Sequence, residues 1–477
     1  MIQKHVSYFC TWDVQAQRIE KENAERAEKT KSSGEIKFAG DQGLTARDAM
    51  NEENVFGENG WIHYFPEIRA NLYFVIDDGW DVDYHLDMVE KDFPKFGSHV
   101  LNEKRFPSFK GTPEEKLKQF VERVKAAGWK GLGIWLPTQA LGDDWRKSVK
   151  ETETYWRAML ERAKYAGVSY WKVDWGFCAH SPEDRKAITD LAREVYPELV
   201  VEHGIAMTPI NEYLCDDGRF VNDEAYEGAK AFAEFSEVLR TYDVTQLERA
   251  TTMDRVCCLL PESNALLNCE SLCFMAAGLG FSLGIMGAPE TRNGQEAIAA
   301  IRWHEIAPAF VGGETHMSDL ILKDYFDFEE GTTWASFLFG RRIFQSAPAI
   351  LSRNTGLPVV SCNDDQPFVV ASSNPSGAYS VAELGRFLEE EKSPLADVQC
   401  FTEGSPENIG VFGAFSSISF LLTSIPCSVK VRNLFTDEIV DVTKELTLGK
   451  NLTIPGKLLK QFSQAGGKSA VHLMLSY

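Results

Sequence analysis

The sequence predicts an α/β chain, a (β/α)8 barrel followed by an antiparallel β-sandwich. Three observations lead there. From about residue 5 to about residue 310, short apolar runs alternate with amphipathic segments, the rhythm of right-handed βαβ units around a sheet covered on both faces. Eight such units in about 310 residues suit a closed barrel better than an open sheet. Beyond about residue 325 the texture changes to short strand-like runs separated by turn residues such as Asn374-Pro375-Ser376-Gly377. The expected division is therefore 1–324 for the barrel, with a polar insertion at about 16–58, and 325–477 for the all-β part.

The elements follow in order. A buried strand at 6–11 ends at Trp12, and a second at 71–76 ends in Asp77-Asp78-Gly79-Trp80. Thr112-Pro113-Glu114-Glu115 is a capping box with proline in the first turn, followed by Leu117, Phe120, Val121 and Val124 at helical spacing. The third strand is 131–136. A helix over 151–166 turns Trp156, Met159, Leu160 and Ala163 to one face and stops at Gly167. The fourth strand, 168–174, contains Tyr170-Trp171-Lys172-Val173-Asp174. Ser181-Pro182 opens the next helix, and the fifth strand is 199–202. The sixth, seventh and eighth strands are placed at 237–241, 265–269 and 281–286, with a last helix over 294–308. The insertion reads as a helix over 16–31 plus a surface loop, its Glu/Lys run a solvated face.

Composition narrows the function. The 477 residues carry a net charge of −21 with no long Lys/Arg run, which argues against nucleic acid and anionic membrane as partners. No apolar run approaches a membrane span, and the N-terminus lacks the apolar core and cleavage site of a signal peptide. The ten cysteines are scattered, with no Cys-x-x-Cys, so reduced thiols and a cytoplasmic location are expected. No spacing suggests a metal site. Aromatic residues make up 12%, including eleven Trp, which suits stacking on sugar rings, although for most of these rings a core position is the better expectation. Self-association into a homo-oligomer stays open.

Active sites of such barrels lie at the C-terminal ends of the strands. The polar and aromatic residues expected there are Trp12, Asp13, Asp77, Asp78, Trp135, Lys172, Asp174, Glu202, His203, Arg240 and Asp243. Carboxylates dominate that set, and glycoside hydrolysis needs two carboxylates across the scissile acetal with others around the sugar. On the fourth strand Tyr170, Lys172 and Asp174 share one face, and Trp171, Val173 and Trp175 the other. Asp174 is not needed as a helix cap, because Ser181 supplies one, so catalysis leads there. Asp77-Asp78-Gly79 taken alone reads as a turn. At Asp243, capping through Asp243-x-x-Gln246 and catalysis are evenly matched, and His203 by itself reads as structural.

Those motifs resemble the α-galactosidase (melibiase) clan of retaining glycoside hydrolases, families 27 and 36. Asp77-Asp78-Gly79-Trp80 is similar to its Asp-Asp-x-Trp motif, which holds sugar hydroxyls. Trp171-Lys172-Val173-Asp174 is similar to its Lys-x-Asp motif, whose Asp is the nucleophile. Arg240-Thr241-Tyr242-Asp243 resembles the arginine and acid/base aspartate after the sixth strand, at a spacing one residue shorter than in many members. Trp12 and Trp135 match sugar-facing aromatics, and Glu202 a substrate-binding glutamate of family 27.

The resemblance implies a cofactor-free exo-glycosidase acting on a terminal α-linked galactose by double displacement. Asp174 would be the nucleophile and Asp243 the acid/base. Lys172 would be held near Asp174, keeping it ionised and binding a hydroxyl, while Asp77, Asp78 and Arg240 fix other hydroxyls. α-N-Acetylgalactosamine and β-L-arabinopyranose are alternative sugars. A Mg²⁺-dependent lyase barrel and a non-catalytic sugar-binding barrel are the alternatives of other classes.

Overall fold

The structure is a computed structural model that describes residues 6–19, 46–86, 89–204, 235, 237–238, 240–242, 271–327, 342–362, 366–386, 395–464 and 467–477. Of these, the side chains of 240–242, 292, 323–327 and 342–347 are not described.

Seven parallel strands form the N-terminal sheet: β1 (Tyr8–Cys10), β2 (Tyr73–Ile76), β3 (Gly131–Leu136), β4 (Tyr170–Val173), β5 (Val200–His203), β6 (Arg240–Tyr242) and β7 (Ser282–Ile285), in the order β5-β4-β3-β2-β1-β7-β6. The first five strands lie where the apolar runs put them. The other end of the sheet corrects the expectation. A strand at 265–269, outside the described residues, was expected between those at 237–241 and 281–286. Instead β6 pairs directly with β7, Arg240 opposite Ser282 and Tyr242 opposite Gly284, which leaves no place between them. The outer strands β5 and β6 have no ladder to each other among the described residues, so the sheet as described is seven-stranded.

The helices on its outer face are started and stopped by local chemistry. In α1 (Pro113–Ala126) the Thr112 side chain accepts from the Glu115 amide while the Glu115 carboxylate accepts from the Thr112 amide. In α2 (Glu153–Ala166) the chain exits through Gly167 at φ 79°, a left-handed conformation that glycine adopts without Cβ strain. In α3 (Pro182–Val195) the Ser181 side chain accepts from the Asp184 amide at 3.1 Å. Their apolar faces meet Phe9, Phe74, Ile76, Leu132, Ile134, Leu136, Trp171 and Val173, the outward residues of β1–β4, in one core.

The opposite face has its own layering. Register aligns Cys10, Val75, Gly133, Tyr170 and Val200 across five strands. Gly133 is required there, since a Cβ would lie 2.7 Å from a Val75 methyl and 3.1 Å from the Tyr170 Cβ. Tyr170 fills the vacated space and meets the rings of Tyr8 and Tyr73 at 5.4 and 5.3 Å. These tyrosines form an aromatic floor, and one step further toward the C-terminal strand ends come the polar residues.

Residues 12–19 are helical and run into the expected insertion, and the remainder of the proposed 16–31 helix lies outside the described residues. A 3-10 turn at Ala46–Ala49 and a helix at Glu52–Phe56 follow.

Two further helices, α4 (Leu272–Leu279) and α5 (Arg292–His304), connect this sheet to the C-terminal region. There an eight-stranded and a four-stranded sheet face each other across an apolar core that includes Val381, Val411, Ile418 and Phe420. This is a sandwich, but a mixed rather than an antiparallel one. The chain passes from β8 (Tyr379–Leu384) to β9 (Ala396–Phe401) in the other sheet, back to β10 (Asn408–Gly413) and over again to β11 (Phe415–Leu421). Crossing between sheets at each step brings β10 beside β8 and β11 beside β9 in the same direction, so both pairs are parallel. Thr315–Met317, ahead of the expected boundary at 324, already pairs in the larger sheet.

Thr112→Ala should cost about 0.5–2 kcal/mol locally. Hydrogen exchange at the first-turn amides of α1 should accelerate accordingly, while the sheet amides hold their protection.

Candidate functional site

Above the tyrosine floor, alternation and register put Asp77, Trp135, Lys172 and Glu202 in one row, with Trp135 opposite Lys172 and Lys172 opposite Glu202. All four are buried. A charged row in such a place is tolerable only if its members are paired. Lys172 Nζ donates to Asp77 Oδ2 at 2.6 Å, and the Cys10 thiol donates to the same oxygen at 2.9 Å. Asp77 Oδ1 accepts the Asp78 amide at 2.8 Å. Glu202 Oε2 accepts from the Tyr170 hydroxyl, which ties the row to the floor beneath it. The Cys10 thiol stays protonated as a donor: burial, then the negative Asp77, push it well above its ordinary value.

Asp174 stands just past the end of β4. Its amide donates to the Leu136 carbonyl at 2.9 Å, and Arg185 of α3 holds its carbonyl at 2.8 Å. Trp135 Nε1 donates to Oδ2 at 3.0 Å, while Oδ1 has no hydrogen bond among the described residues. Part of Asp174 reaches solvent, unlike the other carboxylates of the row. Its environment raises the carboxyl from its ordinary value, first by burial; the Lys172 charge and the Trp135 bond act against this, and Asp77 adds to it. Lys172 therefore acts on Asp174 as a nearby charge, and its ion pair is with Asp77. The turn after Asp174 needs glycine: Gly176 has φ 135°, and a Cβ would lie 2.7 Å from the Thr138 amide nitrogen.

Asp78 faces away from that row. Arg47, from the 3-10 turn in the polar insertion, donates to Asp78 Oδ2 through Nε at 2.7 Å. The guanidinium lies over the Phe96 ring, 5.0 Å from its centroid, and 6.0 Å from that of Trp175. Asp78 Oδ1 is buried and has no hydrogen-bond partner among the described residues. Burial outweighs Arg47 and moves the Asp78 carboxyl up to about 7. Trp80 is structural, its Nε1 donating to the Trp135 carbonyl at 3.0 Å and so fixing the end of β3. Trp12, at the start of the 12–19 helix, is half-buried against the cluster of Tyr8 and Cys10.

The structure thus gathers Asp77, Trp135, Lys172, Asp174 and Glu202, with Asp78 and Trp12 beside them. His203 points to the helix side, where Nε2 meets Thr189 Oγ1 at 2.7 Å. Arg240 opens β6, but its side chain lies outside the described residues, as does Asp243 entirely. Cys10 and Arg47 were not singled out by the sequence. Arg47 carries no local signal because its partner is distant in the chain. Among the described residues no group of three or more His, Cys, Asp or Glu could hold a metal ion, and no helix is long and apolar enough to cross a membrane.

No family model and no curated protein matches the chain. Similar solved structures include a family 27 β-L-arabinopyranosidase from Geobacillus stearothermophilus, 12% identical, with 99% of this chain and 97% of that chain covered and a TM-score of 0.41. They also include α-galactosidase I from Mortierella vinacea, at 11% identity, 85% and 87% coverage and a TM-score of 0.35. An α-galactosidase from Saccharomyces cerevisiae with raffinose is 11% identical, with 99% and 98% covered and a TM-score of 0.34. These are enzymes of the clan that the sequence motifs resemble. At such identities and TM-scores the likenesses assign no activity to this chain.

The raised Asp78 carboxyl has a consequence for stability. The folded state holds a proton up to about pH 7 that the unfolded state releases near pH 4. Stability from this group is complete below about pH 4 and is lost as the pH rises toward 7, by at most about 1.4 kcal/mol per pH unit. Thermal midpoints at pH 5 and pH 8 should differ less for Asp78→Asn than for the wild type.

Proposed function

We propose that this chain is a retaining exo-glycosidase that cleaves a terminal α-linked galactose. Asp174 carries the reading. It is the carboxylate at a strand's C-terminal end with one oxygen held by an indole N–H and the other unengaged, beside a row of buried hydroxyl-binding groups. A nucleophile needs that combination: a fixed direction, an unencumbered oxygen and access to the substrate.

In the first step Asp174 Oδ1 bonds to the anomeric carbon as the glycosidic C–O bond breaks, and Asp243 gives its proton to the leaving oxygen. In the second, water gives a proton to Asp243 and bonds to the same carbon, and the ester to Asp174 breaks. Asp77 and Lys172 line the bottom of the sugar site as an ion pair, with Glu202 beside them held by the Tyr170 hydroxyl. Asp78 and Arg240 hold hydroxyls at the sides, and Trp12 and Trp135 take the apolar face of the ring. α-N-Acetylgalactosamine and β-L-arabinopyranose are alternative sugars, and the barrel is the architecture in which we place this site. For a retaining reaction the carboxyls of Asp174 and Asp243 should be about 5–5.5 Å apart.

A screen of nitrophenyl glycosides of these sugars tests the assignment. Asp174→Asn should reduce kcat by on the order of 10⁴-fold, and azide should restore Asp174→Ala to a glycosyl azide of inverted anomeric configuration. Full activity in Asp174→Asn, or activity abolished by a chelator, would sink it.

Trp135→Phe offers a finer check. It removes a hydrogen bond that favours ionised Asp174, so the acid limb of the kcat/KM profile should move to higher pH. An unmoved limb would separate that limb from Asp174.

A further inference from the structure

Arg185 is a buried cation in the first turn of α3. Burying a charge is costly, and at a helix N-terminus the backbone dipole opposes a positive group as well. Hydrogen bonds from the guanidinium offset this cost. Nε donates to the Ala179 carbonyl at 2.6 Å, Nη1 to the Val173 carbonyl at 3.0 Å and Nη2 to the Asp174 carbonyl at 2.8 Å. All three acceptors belong to the end of β4 and the loop behind it, the stretch that carries Asp174.

Two of those acceptors are consecutive. In an extended strand neighbouring carbonyls point to opposite sides, so one guanidinium reaches both only where the chain bends. β4 ends at Val173, and the bend falls at Asp174. Other bonds brace it from the remaining sides. The Gly204 amide also donates to the Val173 carbonyl at 2.6 Å, Thr138 Oγ1 to the Asp174 carbonyl at 3.2 Å, and the Asp174 amide to the Leu136 carbonyl at 2.9 Å. Beyond the bend, Trp175 packs among Trp135, Phe96 and Phe93, with ring centroids 5.3, 5.0 and 5.6 Å away. Both peptide groups of Asp174 are therefore fixed. Its side chain keeps only its own torsions, which the bond from Trp135 Nε1 restrains.

We propose that Arg185 is a positioning residue, whose forked grip on the Val173, Asp174 and Ala179 carbonyls sets the direction in which Asp174 Oδ1 meets the anomeric carbon. This rests on the glycosidase reading. The fork governs direction: a planar guanidinium reaches three acceptors at fixed angles, which a lysine ammonium on a flexible stem does not. The charge acts separately. Burial raises the Asp174 carboxyl, and Lys172 and, to a lesser degree, Arg185 act against this. Losing the fork and losing the charge therefore have different consequences.

The test compares the wild type with Arg185→Lys and Arg185→Met on the nitrophenyl glycoside that the wild type hydrolyses best, with the matching free sugar as competitive inhibitor. Both variants should lose about tenfold to a hundredfold in kcat. The inhibition constant of the free sugar should stay within about twofold of the wild type, which also reports an intact, folded sugar site. Arg185→Lys should keep the acid limb of kcat/KM in place, and Arg185→Met should move it to higher pH. A kcat within about twofold of the wild type in both variants, or sugar affinity lost in parallel with kcat, would overturn the positioning role alone. If neither variant folds, Thr138→Val decides, because it removes the hydroxyl bond to the same Asp174 carbonyl. Its kcat should fall about twofold to tenfold with an unchanged inhibition constant, and an unchanged kcat would overturn the positioning role. Failure of the wild type to hydrolyse nitrophenyl glycosides of all three proposed sugars would overturn the glycosidase reading, and this inference with it.

Discussion

The ion pair between Lys172 and Asp77 is the constraint around which the N-terminal sheet is arranged. Each partner is buried, and an isolated charge at such a depth costs several kcal/mol. The pair is tolerated because both ends are satisfied. Asp77 takes the ammonium and a thiol on one oxygen and a backbone amide on the other. Its own amide is held by Thr11, which donates in turn to Gln15. The ends of β1, β2 and β4 are thereby fixed to one another by side chains as well as by the ladder. Removing either charge alone would leave the other uncompensated, which is why the neighbouring residues have so little freedom.

Much of this was legible in the sequence. Parallel strands buried on both faces are apolar runs, and β1–β5 lay in such runs with helices of clear period between them. The capping residues at Thr112 and Ser181 had their chemistry written locally, and Ser181 freed Asp174 for another role. Pairing between distant segments was not legible. Nothing near 240 or 282 indicates that these strands adjoin. Lys172 and Asp174 are close in sequence on one face, yet the ion pair of Lys172 is made with a strand far earlier in the chain. Arg47 reads as one more charge in a polar insertion until the fold brings it against Asp78 and the Phe96 ring.

The polar insertion thereby gains a structural role. Its 3-10 turn packs so tightly on the β2 loop that a Cβ at Gly79 would lie 2.6 Å from the Arg47 carbonyl oxygen. Arg105 reinforces the same junction, donating to the carbonyls of Arg47, Val82 and Asp83. This part of the insertion forms one wall at the strand ends, opposite in character to the aromatic wall built by the β3 and β4 loops.

The alternation of β8 to β11 between two sheets bears on how the C-terminal region assembles. A hairpin can form from adjacent residues, but a parallel pair made across an intervening strand closes only once the chain has come back. Over 379–421 both parallel pairs join segments separated by another strand, so loop closure precedes those bonds and their formation is expected to be slow. The same weave makes the two layers inseparable: cutting the chain anywhere within it removes strands from both sheets at once.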